Sequence, residues 1–197
     1  MAKLKDFIKP LEKGIAQTIV VIRSDANTPV GYVDDLKQQL REAGILKVSY
    51  ARPAVAEGVV VRHLPLAKGG EGLTVQKAPA TPTDYPKEIQ GDICLVKLNA
   101  GDRIFFKDGA YQDDDEIVRL GTDFLREHGA GTLFLFTHDK GTSYGAYVHM
   151  QDLLQRCYKQ VRGEKAQELY GKSLLEISDS QLTEIYKLYP VTIVEQS

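Results

Sequence analysis

The sequence predicts an α/β (α+β) fold in which duplicated βα units pack their helices on a small mixed sheet. Three observations carry this. Residues 18–40, TIVVIRSDANTPVGYVDDLKQQL, and residues 132–154, TLFLFTHDKGTSYGAYVHMQDLL, align without a gap at an offset of 114, the distance from Thr18 to Thr132. In each copy an apolar run leads to an Asp (Asp25, Asp139), a Thr three residues on (Thr28, Thr142), a Gly (Gly31, Gly145) and then helical periodicity. Internal self-similarity of this kind marks a repeated supersecondary unit. Between the copies lies a stretch of different character, residues 51–90, with Pro53, Pro65, Pro79, Pro82, Pro86 and a Gly-Gly-Glu-Gly run at 69–72. The expected organisation is a first half-module over 1–50, a Pro/Gly-rich linker over 51–90, and a second module with a helical C-terminal extension over 91–197.

Taken in order, Leu4, Phe7, Ile8, Leu11 and Ile15 have the spacing of an amphipathic helix, which Pro10 kinks or delays. Residues 18–23 form a continuous apolar run that reads as a buried strand. Thr28 suits an N-cap and Pro29 the first helical position, where the missing N–H loses no bond. Val33, Leu36, Leu40 and Ala43 supply one apolar helix face, Gly44 is a C-terminal stop, and 45–50 returns as a strand. The linker holds at most one strand, at 58–62. Residues 92–99 and 103–107 flank an Asn-Ala-Gly-Asp turn and predict a hairpin with Ile93, Leu95, Ile104 and Phe105 facing inward. A helix over 114–128, with Ile117, Leu120, Phe124 and Leu125 on one side, ends at Gly129. The strand at 132–136 opens the second βα copy, whose helix runs through Tyr147, Met150, Leu154, Cys157 and Val161 to Tyr170. Ser178 and Gln181 have the spacing of a capping box opening a last helix, which Pro190 closes before a strand at 191–194. Whether the two modules share one sheet is left open by the pattern.

Composition narrows the function. The 197 residues, 43% hydrophobic and 26% charged, bury one ordinary core or two small ones. With 25 basic and 27 acidic residues the net charge of −2 argues against a general phosphate-backbone or anionic-membrane binder, so nucleic acid is not an expected partner. No apolar run reaches the roughly 20 residues that span a bilayer, and the first 16 residues lack the apolar stretch of a secretory signal. Cys94 and Cys157 have no metal-ligand spacing and read as buried thiols, a disulfide remaining open if the compartment is oxidising. There is no GxSxG elbow, no phosphate-binding loop and no His or base beside either Cys, so the sequence predicts a non-enzyme without a cofactor.

Two stretches resemble the extracytoplasmic domain of the ExbD/TolR family, the small subunits of proton-driven biopolymer transport complexes. VVIRSDANTPVGYVDDLKQQLREAGILKVSY, residues 20–50, is similar to that family's strand-Asp-helix-strand half. The segment from Gly141 to Glu195, GTSYGAYVHMQDLLQRCYKQVRGEKAQELYGKSLLEISDSQLTEIYKLYPVTIVE, resembles the extended C-terminus of the Bacteroidetes versions. The resemblance implies a non-enzymatic periplasmic domain, anchored in the inner membrane through an N-terminal segment that this chain does not contain. It would dimerise and bind a TonB-like energy transducer and an ExbB/TolQ-like membrane subunit. Binding to peptidoglycan, as in the TolR branch, or service as a sensory appendage of a larger membrane regulator are the alternatives. The family's proton-carrying Asp belongs to the missing helix, so no residue here takes that role, and the duplication departs from the family's usual single domain.

Asp25 and Asp139 end strands where helices begin, and a carboxylate there accepts turn N–H groups while facing the positive end of a helix dipole. Thr28, Pro29, Gly31, Thr142, Tyr144 and Gly145 read first as turn and capping residues. The resemblance implies that this region lies near a dimer or partner surface, which makes these eight residues the partner-binding candidates, with Tyr144 as a partly exposed aromatic anchor. His138, Asp139 and His149 lack the tight spacing of a tetrahedral metal site, and no metal is expected. The acidic run 113–116 lacks the alternation and central Gly of a calcium loop and is better placed at a helix N-terminus.

Overall fold

The computed structural model describes residues 19–43, 45, 47–51, 63–65, 92–107, 109–111 and 113–196. The expected helix at 4–15, the strand at 58–62 and the stop at Gly44 lie outside the described residues. The fold is mixed α+β, as the sequence predicts, and the described strands fall into two sheets. The smaller contains β1 (Ile19–Ile22), β2 (Lys47–Tyr50) and β3 (His63–Pro65) in the order β1-β2-β3. The larger has the order β6-β5-β4-β7-β8, from β4 (Ile93–Leu98), β5 (Ile104–Phe106), β6 (Gly109–Tyr111), β7 (Leu133–His138) and β8 (Ile193–Gln196).

The repeat is visible in the topology. In the first copy β1 leads through α1 (Val30–Glu42) to β2, and β1 and β2 are parallel. In the second, β7 leads through α3 (Tyr144–Tyr170) and α4 (Asp179–Leu188) to β8, and β7 and β8 are parallel. The second copy adds a parallel neighbour, β4, on the other side of β7, preceded by no equivalent among the described residues of the first. Parallel neighbours need a crossover, and the helices supply it in both copies. The linker region contributes β3, antiparallel to β2.

Local chemistry sets the helix boundaries of the second module. α2 (Asp114–His128) starts where the Asp113 carboxylate accepts the Asp115 N–H, carries three further acids in its first turn, and stops at Gly129 with φ 69°. α3 ends at Gly171 with φ 63°, a left-handed conformation that costs glycine least. α4 opens on the capping box of Ser178 and Gln181. The core between these helices and the large sheet is aromatic, with Phe134 packed against Phe106, Phe124 and Tyr158 at centroid distances of 5.7–6.1 Å. Cys94 and Cys157 are free and buried, and burial pushes both thiols up to about 12. Among the described residues no helix is long and apolar enough to cross a membrane.

Three expectations are corrected. The inward residues of β4 are Cys94, Val96 and Leu98, whereas Ile93 and Leu95 are exposed. The register pairs Val96 with Phe106 and Leu98 with Ile104, so Phe106 faces the core and Phe105 does not. β1 is not buried on both faces, since Ile19 and Val21 are exposed while Ile22 is buried. Finally, α1 begins one residue later than the sequence suggests: Pro29 is the N-cap residue, and no side chain caps this helix.

Candidate functional site

The eight candidate residues lie in two turns, and the two turns meet each other. In both copies the turn closes locally, Thr28 N–H donating to the Asp25 carbonyl at 3.1 Å and Thr142 N–H to the Asp139 carbonyl at 3.0 Å. The two turns then pair face to face. Val30 N–H donates to Thr142 O at 2.8 Å, and Tyr144 N–H to Thr28 O at 2.8 Å. Gly31 N–H donates to Lys140 O at 3.0 Å, and Gly145 N–H to Ala26 O at 2.8 Å. Adding the 114-residue offset converts each bond into its counterpart, so the copies are related by a pseudo-two-fold axis, with Pro29 and Ser143 in an antiparallel bridge.

The donors are the first N–H groups of α1 and α3, which no carbonyl of their own helix can satisfy. Each copy's turn therefore caps the other copy's helix. This explains how α1 does without a side-chain cap, although Ser143 adds one to α3 by accepting from Ala146 N–H. The glycines permit the approach. A Cβ on Gly31 would stand 3.3 Å from both Cβ and O of Lys140, and one on Gly145 the same distance from Cβ and O of Ala26.

The carboxylates are turn formers with different partners. Asp25 accepts Asn27 N–H at 2.9 Å, as an Asp at a strand exit was expected to do. Asp139 instead accepts Ala100 N–H, from the turn between β4 and β5, at 3.2 Å. The Thr142 hydroxyl lies 3.0 Å from Asn99 O, holding the second turn against the same hairpin. Tyr144 is not a partly exposed anchor. It is fully buried, and its hydroxyl lies 2.8 Å from Ile22 O and 2.9 Å from Ala51 O, at the ends of β1 and β2. Burial pushes its phenol up to about 12, so it donates throughout the neutral range.

Behind the turns lies a buried polar cluster that the residue pattern did not single out. Lys37 of α1 is 3% exposed, with Nζ 2.8 Å from Asp34, 3.0 Å from Glu195 of β8 and 3.2 Å from the Tyr147 hydroxyl of α3. Tyr147 donates to Glu195 at 2.8 Å and sits 3.1 Å from the Tyr50 hydroxyl, and Gln151 donates to Glu195 at 2.6 Å. Lys37 and Gln151 are equivalent at the 114-residue offset. So are Tyr50 and Glu195 by pairing, because Tyr50 opposes Ile22 and Glu195 opposes Phe136. Burial opposes the charge on Lys37, but Glu195 and Asp34 more than offset it and hold the ammonium protonated. Burial likewise pushes the Glu195 carboxyl up, and Lys37 and Tyr147 outweigh it, leaving it below the usual carboxylate range.

One signal for this cluster was present in the sequence. Lys37 falls four residues after Val33 and three before Leu40, on the apolar stripe of α1. Neither a protein-family model nor a curated protein matches the chain. The metal candidates do not converge: His138 faces Asp34, while His149 contacts Asp114 at 2.8 Å, and no cluster of three or more metal-ligating side chains occurs among the described residues.

The surface next to the joint carries a cleft of about 680 Å³ on the outer side of the large sheet. Leu95, Phe105 and Leu135 form its apolar lining, with Lys97, Lys107, Thr137 and Asp139 among the polar residues. Lys97 Nζ lies 3.9 Å from Asp139, which links the cleft to the second turn.

Proposed function

We propose that the chain is a non-enzymatic, partner-binding periplasmic domain of an ExbD/TolR-like component of a proton-driven transport complex. In this reading it takes an extended segment of a TonB-like energy transducer, while an ExbB/TolQ-like subunit holds the assembly in the inner membrane. The observation that carries the binding role is the cleft beside Asp139. Its lining includes Leu95, more than half exposed on a central strand, which with Phe105 offers apolar surface that a bound segment would remove from water. Lys97 and Lys107 suit an extended segment that brings both carboxylates and apolar residues to one face, as at positions i and i+2 of a strand.

The test is a titration of the isotope-labelled chain with transducer peptides up to millimolar concentration. Shift changes are expected at Leu95, Phe105 and Thr137, and Leu95→Asp should abolish them. Absence of any change overturns the proposal. Co-sedimentation with purified sacculi, without a peptide response, would replace it by cell-wall attachment.

A further inference from the structure

We propose that the cluster of Asp34, Lys37, His138 and Glu195 is an acid-sensitive latch, which holds the two copies together and releases them when His138 takes up a proton. The inference stands on the joint alone and not on the partner proposed above.

The imidazole of His138 is wholly buried at the end of β7, and among the described residues neither ring nitrogen has a partner in good hydrogen-bond geometry, the Asp139 main chain beside it acting on the ring without meeting that geometry. Its surroundings come from four elements. From α1, Asp34 Oδ1 stands 3.7 Å from Nε2, and Lys37 is the nearby cation. From α3, the Tyr147 ring meets it edge-on at 5.2 Å. Glu195 of β8 adds a second carboxylate, and β7 itself contributes the Phe136 ring, with the Asp139 main chain just past its end. Tyr50 of β2 reaches the cluster through the Tyr147 hydroxyl.

Asp34 and Glu195 attract a proton to this ring, but both are already engaged by Lys37, whose ammonium repels a second cation. Burial is the larger effect, and it lowers the affinity of His138 for a proton below the ordinary imidazole value. The sign follows. With the joint open, the ring regains water and binds a proton normally; with it closed, binding is weaker. Acid therefore favours the open state, beginning below about pH 6.5, where an unperturbed histidine titrates, and the closed state is fully favoured above it. The groups that hold the latch sit on both sides of the joint, Asp34 and Lys37 on the first copy and His138, Tyr147 and Glu195 on the second.

Four amides cross the joint, those of Val30, Gly31, Tyr144 and Gly145, and they report its opening directly. Their hydrogen exchange, measured on the full chain from pH 7.5 to 5 and corrected for intrinsic rates, should accelerate below about pH 6.5. One proton limits the slope to about tenfold per pH unit. Amides inside the large sheet, such as those of Val96 and Phe136, should show no such acceleration. The substitution His138→Gln should flatten the response at the four amides. Protection that persists to pH 5 in the wild type, or an acid response retained in His138→Gln, overturns the latch. Should His138→Gln fail to fold, His138→Phe serves: it places a ring that takes up no proton among the same Phe136 and Tyr147 rings, and an acid response retained there again overturns the proposal.

Discussion

At the scale of single residues the joint turns on Lys37. A buried ammonium is tolerated only when its partners offset the lost hydration, and Asp34, Glu195 and the Tyr147 hydroxyl all lie within 3.2 Å of it. Replacing one member of such a set leaves the others charged and dry. Lys37→Met is therefore expected to lose about 3–5 kcal/mol of stability in urea unfolding at pH 7. It should also change the sign of an acid effect. In the wild type, Lys37 and Tyr147 overcome burial and keep the Glu195 carboxyl below its usual range. The stability this gives is present above the ordinary carboxylate pKa of about 4.3 and is lost as pH falls through the lowered folded value. Without Lys37, burial outweighs what the Tyr147 and Gln151 hydrogen bonds still give the carboxylate, so acid should stabilise the variant relative to pH 7. Melting temperatures from pH 7 to 3 distinguish the two behaviours. A smaller effect is expected at Tyr144, where Tyr144→Phe removes a buried donor to Ile22 O or Ala51 O and should cost about 1 kcal/mol.

At the scale of elements, the reciprocal capping of α1 and α3 makes an unusual demand: two glycines at equivalent positions must approach the opposite backbone at once. Gly31→Ala and Gly145→Ala each place a methyl 3.3 Å from a carbonyl oxygen and a Cβ of the other turn, so each should cost about 1–3 kcal/mol. Because both act by prising apart one joint, the double variant should lose less than the two single losses added together, with a coupling of at least 0.5 kcal/mol. Denaturant melts of the four-member cycle check this; strict additivity would mean that the turns yield independently. The elements themselves were legible where local chemistry decides them. Asp113, Gly129, Ser178 with Gln181, and the run to Tyr170 mark their helix ends in the sequence, and the structure places those ends there. The face of β4 was misread because ICLVKL is apolar on both sides, and only Lys97 records the phase that turns Ile93 and Leu95 outward. The repeat at residues 18–40 and 132–154 was legible as a duplication, but not as a pairing. The four bonds that pair the turns run between main-chain atoms, and main-chain atoms leave little trace in residue identity beyond Gly31 and Gly145. The polar cluster was hidden for another reason, since Asp34, Lys37, Gln151 and Glu195 are residue types expected in water, and only tertiary packing takes them out of it.

At the scale of the whole molecule, the pairing has the form of an isologous interface, in which residue i of one copy contacts j of the other and j contacts i. That is the hallmark of two-fold homodimers. Here that form of contact is made between two copies within one chain. The chain should accordingly sediment as a monomer over a wide concentration range, because its two-fold surface is already used. A sharper consequence concerns the segment 66–90. The joint is held by α1, β1 and β2 on one side and by α3, β7 and β8 on the other, all drawn from residues 19–51 and 133–196. Covalent connection of the two halves adds to this by raising the effective concentration of one half at the other. Cleavage within 66–90, at an introduced protease site, should therefore leave the halves co-eluting on gel filtration at micromolar concentration near pH 7.5, held by the four reciprocal amide bonds and the Lys37 cluster. Diluting the cleaved protein should separate the halves, whereas the intact chain is indifferent to dilution. Separation immediately on cleavage at micromolar concentration would mean that the tether, and not the paired turns, holds the copies in register.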